Sequence, residues 1–281
     1  MSEYFAAEVN RGALEQPVPR LDLLRRQKAT VNKPLDVRHH LHREPLVPIS
    51  EYGLAGQSYY SRPNELFDVP VAGVSKEIMV RESIAETLAE VNASLAHRAI
   101  TDFFQGEVEL YIEEGVRLYD VQKHLYEEQI PQVIRAQFPH LTDTQVAARR
   151  DEVIALPTQN PSRPAPHASG GAVDLALRYV QQTPDFVEGS LVPMGREATD
   201  FSDRADPDFF ERRRPATPED YQAMRHRRAL YAIMTGRALG FETHMTPNPT
   251  EFWHWDRGNH LWSVSTGQRP YYGLPPEASR D

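Results

Sequence analysis

Two short stretches carry residue types that could build a metal centre. In PHASGGAVDLAL, residues 166–177, His167 and Asp174 are separated by six residues that include Gly170 and Gly171. Imidazole and carboxylate both ligate zinc, and the glycines would let a loop histidine and a strand carboxylate converge. In EFWHW, residues 251–255, Glu251 and His254 are three apart. His254 would supply a third ligand, and Glu251 beside the metal would serve as general base, leaving one coordination position open. On a regular strand, positions i and i+3 face opposite ways, so this pairing requires a turn or bulge near Trp253. The plainer alternatives are a turn histidine followed by a strand-start aspartate, and an aromatic edge strand with Trp253 and Trp255 in the core and Glu251 in water. A rival cluster, His39, His40 and His42 in VRHHLHRE, has no matching carboxylate and is disfavoured.

Composition narrows the classes. The chain has 281 residues, 40% hydrophobic and 9% aromatic, enough for a sizeable core in one large domain or two small ones. A formal charge of −9 argues against a nucleic-acid or anionic-membrane surface, which would select clustered Lys and Arg. Cysteine is absent, so a zinc site must be built from His, Asp or Glu. No run approaches the length of a membrane span, and the first residues lack a basic segment followed by an apolar one, so a cytoplasmic protein is expected.

The elements that must position these residues follow from periodicity. Residues 1–75 are proline-dotted and weakly periodic, and are expected to form an extended arm packed on a later core; residues 76–281 form the main domain. Ile84, Leu88, Val91 and Leu95 make one apolar stripe on a long helix. VELYIEEGVRLYDV alternates on both sides of Glu113-Glu114-Gly115, which predicts a β-hairpin. Two helical pieces should follow, the first disturbed at Pro131 and the second starting near Thr142 or Asp143. AVDLAL should be a strand with Asp174 on the face opposite Val173 and Leu175. Thr217, Pro218 and Gly240 mark the ends of another helix, and EFWHW and LWSVS read as strands. The fold class predicted is α+β: a central, mainly antiparallel sheet with helices packed around it and the metal site at the sheet. No glycine-rich phosphate loop is present.

HASGGAVD fits an H-x-x-G-x-A-x-D element and EFWH an E-x-x-H element, and in both the chain resembles the zinc D-alanyl-D-alanine dipeptidases, relatives of D,D-carboxypeptidases and some endolysins. LVPMGREATDF and RRALYAIMTGRALGFE resemble the family's segments between and before the two motifs. The resemblance implies one zinc ion per chain held by His167, Asp174 and His254, with Glu251 as the catalytic base. It implies Asp200 as the acid that receives the substrate's ammonium group. Where dipeptidases carry arginine in D-x-Y-R-P, the stretch LYDVQKH offers Lys123, a point charge without the planar fork, as the oxyanion-stabilising cation.

The function implied is hydrolysis of D-alanyl-D-alanine or a similar D,D-dipeptide by a metal-activated water. Two alternatives stay open: a D,D-carboxypeptidase or endolysin-type peptidase acting on peptidoglycan peptides, and a zinc-binding homologue with altered or lost peptidase activity. The partner expected is a small dipeptide, with no nucleic acid and no membrane, and a homo-oligomer is left open.

Overall fold

The computed structural model describes residues 8–28, 33–63, 69–195 and 202–275. Its centre is a five-stranded sheet built from β2 (Ala55–Gly56), β4 (Val108–Glu114), β5 (Ala172–Tyr179), β6 (Thr246–Asn248) and β7 (Glu251–Asp256), in the order β2-β4-β5-β7-β6. Only the short β2–β4 pair is parallel. A separate antiparallel pair joins β1 (Leu46–Pro48) to β3 (Met79–Arg81). The expected α+β architecture with a mainly antiparallel sheet is therefore observed.

Each face of the sheet has its own role. Val173, Leu175, Leu177 and Tyr179 of β5 alternate onto one face, where they pack with Leu110 and Ile112 of β4. Helices α2 (Glu82–Ser94), α3 (Arg98–Phe104) and α8 (Pro218–Met234) cover that face. The predicted stripe Ile84, Leu88, Val91 and Leu95 is fully buried there. Each such side chain contributes roughly 1.5–3 kcal/mol by leaving water. Residues from before position 75 join the same core, among them Ala13, Leu14, Ile49 and Leu54.

The other face of β5 carries Asp174 and looks toward a second, smaller apolar cluster. Val121, Leu125, Ile130, Ile134 and Val146 form it, from α4 (Tyr119–His124), α5 (Ile130–Gln137) and α6 (Asp143–Val153). Pro131 does not break the α4–α5 run. A π-helical turn at Leu125–Gln129 lets the Ile130 N–H bond to the Leu125 carbonyl, and Pro131 sits at the start of α5, where its missing N–H costs little. Thr142 caps α6 in a capping box with Gln145, as its position suggested.

Three expectations are corrected. The second half of VELYIEEGVRLYDV is no hairpin strand: β4 pairs with β5, the Val116 N–H bonds to the Met79 carbonyl, and α4 starts at Tyr119. LWSVS is the helix α9 (His260–Thr266), because the Asn259 side chain accepts from the Trp262 N–H and nucleates a turn. Helix α8 stops at Met234, well before Gly240, because Gly236 takes φ +75° and a Cβ there would lie 1.9 Å from the Phe241 carbonyl oxygen.

Candidate active site

Strand register brings the two motifs together. Asp174 of β5 sits directly opposite His254 of β7, so both side chains leave the same face. Asp256 lies two residues beyond His254 and shares that face. Glu251 reaches it through the required irregularity. The β6–β7 pairing jumps from Pro247↔Trp255 to Asn248↔Glu251, leaving Phe252, Trp253 and His254 as a bulge with no partner in β6.

His167 arrives from a 3-10 turn, His167–Ser169, just before β5. Gly170 ends that turn at φ +72°, and a Cβ there would crowd the Leu46 side chain. Gly171 approaches β7 so closely that a Cβ would stand 2.5 Å from the Arg257 carbonyl oxygen. The two glycines thus fold the loop back onto the sheet as their spacing suggested.

The donor set fits a cation. His167 Nδ1 is 2.8 Å from the Gly115 carbonyl, which can only accept, so Nδ1 carries the proton and Nε2 keeps its lone pair. Likewise His254 Nε2 donates to Asp256 Oδ1 at 3.0 Å, which turns Nδ1 toward Asp174 as the ring's metal-facing nitrogen. His167 Nε2, His254 Nδ1 and Asp174 Oδ1 then face one another at 3.2, 3.1 and 3.5 Å. Ligands ~2.0–2.1 Å from a tetrahedral zinc stand about 3.3 Å apart. Asp174 Oδ1 is buried and receives no well-formed hydrogen bond. Burial works to raise the Asp174 carboxyl, but His167 and His254 outweigh it and hold it well below the usual range. Burial depresses the His254 imidazole, yet Asp256 and Asp174 lift it well above its ordinary value. Both directions describe a pocket that favours positive charge.

Glu251 stands at the edge of this triangle, its Oε2 3.8 Å from His254 Nδ1 and 2.8 Å from the Asn248 side-chain amide, which donates to it. The site opens into a cavity of about 1120 Å³ whose wall includes Tyr60, Arg117, Gln122, Ile154, Met194 and Trp253.

Lys123 does not reach this cavity: it lies on the exposed side of α4. The buried cation beside His167 is Arg117, whose backbone N–H bonds to the His167 carbonyl. A bulge in β4 creates its seat. Ile112 pairs with Leu175 and Glu114 with Asp174, so the extra residue turns Glu114 off the apolar face and onto the cavity face. Arg117 pairs with both oxygens of Glu114, bonds Gln122 Oε1 at 2.8 Å and lies over the Tyr60 ring. Burial opposes its charge, but Glu114 more than compensates and keeps it protonated. The signal was weak: Glu114-Gly115-Val116-Arg117-Leu118 keeps only the arginine of D-x-Y-R-P, with glutamate for aspartate, valine for tyrosine and leucine for proline, and that arginine stands six residues before Lys123. Asp200 lies outside the described residues. The arm histidines serve structure: His42 Nδ1 meets the Tyr271 carbonyl at 2.8 Å and His39 stacks on Tyr271.

The chain is similar to known proteins. The family pattern described as D-ala-D-ala dipeptidase matches residues 121–271, more than half of the chain. A D-alanyl-D-alanine dipeptidase from Synechocystis sp. is 26% identical over 247 residues, covering 82% of this chain and 91% of the relative. Among solved structures, a vancomycin-resistance D,D-pentapeptidase, VanY, in complex with Zn(II) matches at 14% identity and a TM-score of 0.32, covering 78% of this chain and 96% of that one. The chain belongs to the D-alanyl-D-alanine dipeptidase family of zinc metallopeptidases.

Proposed function

We propose that the protein hydrolyses D-alanyl-D-alanine or a similar D,D-dipeptide, with His167, Asp174 and His254 holding one zinc ion and Glu251 as general base. The observation that carries this reading is the triangle formed by His167 Nε2, His254 Nδ1 and Asp174 Oδ1, with Glu251 at its edge. Zinc bound there supplies a Lewis acid that polarises a carbonyl and brings the pKa of a water toward ~7.

The chain's own groups do the rest. Glu251 accepts the proton of the attacking water at a carboxylate oxygen and returns it to the leaving amine nitrogen. Arg117 has five N–H donors, three of which bond Glu114 and Gln122, so two can meet the oxygen that gains negative charge. Asp200 takes the substrate's ammonium group in this reading, on the strength of its motif position. A free D,D-dipeptide is a cytoplasmic molecule, so the same reading places the enzyme in the cytoplasm.

A second reading, a D,D-carboxypeptidase acting on longer peptidoglycan peptides, is favoured by the cavity. Its volume of about 1120 Å³ among the described residues exceeds the ~300–1,000 Å³ of pockets that hold drug-sized ligands. One assay separates the readings: zinc analysis with hydrolysis of D-Ala-D-Ala, L-Ala-L-Ala and a pentapeptide ending in D-Ala-D-Ala. Zinc-dependent cleavage of the free D,D-dipeptide, lost on chelation, is expected. Cleavage of the pentapeptide alone would transfer the assignment to the carboxypeptidase, and bound zinc with no hydrolysis would leave a non-catalytic homologue.

A further inference from the structure

The general base is held by a residue that is itself held from the other end of the chain. Asn248, at the end of β6, is buried, and its side-chain amide donates to Glu251 Oε2 at 2.8 Å. On its opposite edge, Asn248 Oδ1 accepts from the Thr250 N–H at 3.1 Å, from the Thr250 hydroxyl at 3.0 Å and from Lys28 Nζ at 3.4 Å. Lys28 Nζ also donates to the Thr250 hydroxyl at 3.2 Å. This arrangement permits only one orientation of the amide, because turning it over would set its NH₂ against an ammonium and an N–H, and its oxygen against a carboxylate.

Lys28 follows α1 (Asp22–Gln27), which is fastened to the same turn and to the main domain. Arg25 Nε donates to the Pro249 carbonyl at 3.0 Å, and its guanidinium pairs with Asp208 and, at 3.2 Å, with Asp206. Arg25 and Lys28 both lie before the matched family segment, 121–271. Two cations from the arm therefore grip the three residues that precede Glu251.

We infer that Lys28 is a positioning residue for catalysis: its ammonium fixes the Asn248 amide, which in turn aims the Glu251 carboxylate. The inference rests on Glu251 being the general base. A displacement near 1 Å at a reacting group costs up to ~10² in rate, and the cost falls on kcat because the substrate's own contacts are untouched.

The test is a double-mutant cycle in the full-length zinc enzyme. Lys28→Met should lower kcat roughly ten-fold, with KM and zinc content unchanged within about two-fold, and Lys28→Arg should restore most of the loss. Asn248→Ala should cost more, roughly a hundred-fold, and adding Lys28→Met to it should cost nothing further, since residues that act through one another are not additive. An unchanged kcat in Lys28→Met, a rise confined to KM, or additive losses in the double variant would each overturn the inference; the KM result would make Lys28 a substrate contact. Should Asn248→Ala fail to fold, the Met and Arg variants at Lys28 still decide. Glu251→Gln is the separate control: if it turns over at the wild-type rate, the base assignment itself falls.

Discussion

The cavity has two walls built by different means. On one wall, Asp174 and His254 face each other across an antiparallel ladder, and Glu251 joins them through a bulge in the same strand. On the other, Arg117 comes from the loop after β4, Tyr60 from the arm before it and Gln122 from α4, and they meet through a buried ion pair and ring contact. The first wall makes a cation site from neighbours in a sheet. The second brings one positive charge to the same place from chain segments that have no regular pairing with one another. A ladder dictates which side chains share a face, whereas a loop cation needs a dedicated partner to fix it, here Glu114.

The largest effect should come from the ladder wall and its loop ligand. If the proposed site is right, His167→Ala removes one of its three zinc ligands, so bound zinc should be lost and turnover should fall by at least about 10³-fold. Metal analysis showing a full zinc complement would remove His167 from the ligand set.

Changes on the loop wall should leave zinc in place. Arg117→Ala should lower kcat by about 10²–10³ and, by stranding the buried Glu114, destabilise the fold by about 3–5 kcal/mol. Arg117→Met combined with Glu114→Gln should recover much of that stability and none of the activity. Lys123→Ala should stay within about two-fold of wild type in both kinetics and melting; a deep loss there, with Arg117→Ala active, would reverse the assignment of the cation.

Asp256→Asn tests how the ladder wall fixes its imidazole. Asp256 is fully buried, receives the His254 Nε2 proton and is bonded by the Asn259 amide. Losing the carboxylate should weaken zinc binding by about 10–100-fold, measured by chelator competition. Wild-type affinity would show that strand geometry alone holds the ring.

The smallest effect concerns the arm. Burial pushes the Asp208 carboxyl up, but hydrogen bonds from Arg25 and the Leu21 N–H pull it below its ordinary value. A depressed folded pKa means the unfolded chain takes up the proton first as pH falls. The contribution of the Arg25–Asp208 pair is therefore present above about pH 4 and is lost as pH falls through the folded value, whereas burial pushes the neighbouring Asp206 carboxyl up to about 6. Arg25→Met should flatten that acid limb in melting experiments from pH 6 to 3; an unchanged limb would show that other carboxylates dominate it.

What could be read from the sequence follows the same division. His167, Asp174, Glu251 and His254 sit in two short motifs, and alternation along β5 already set Asp174 apart from its apolar neighbours. The bulge at Trp253 could be required in advance, because i and i+3 cannot otherwise share a face. Arg117 could not be placed so directly. Alternation around Gly115 imitated a hairpin, and only the distant partner, β5, decides that the chain turns away into α4. LWSVS misled for a related reason: β-favouring side chains were overridden by the Asn259 cap. Neither Lys28 nor Arg25 carried any sign of its role, since each meets the residues around Glu251 and Asp208 across more than 180 residues of chain.

The central claim, a zinc site that hydrolyses a D,D-dipeptide with Glu251 as its base, is tested most directly by Glu251→Gln. Zinc content and D-Ala-D-Ala turnover would be measured on the same purified sample. Glutamine keeps the shape and cannot accept the proton, so the account predicts a full zinc complement and a loss of turnover of about 10² or more. Turnover near wild type with zinc bound would contradict it.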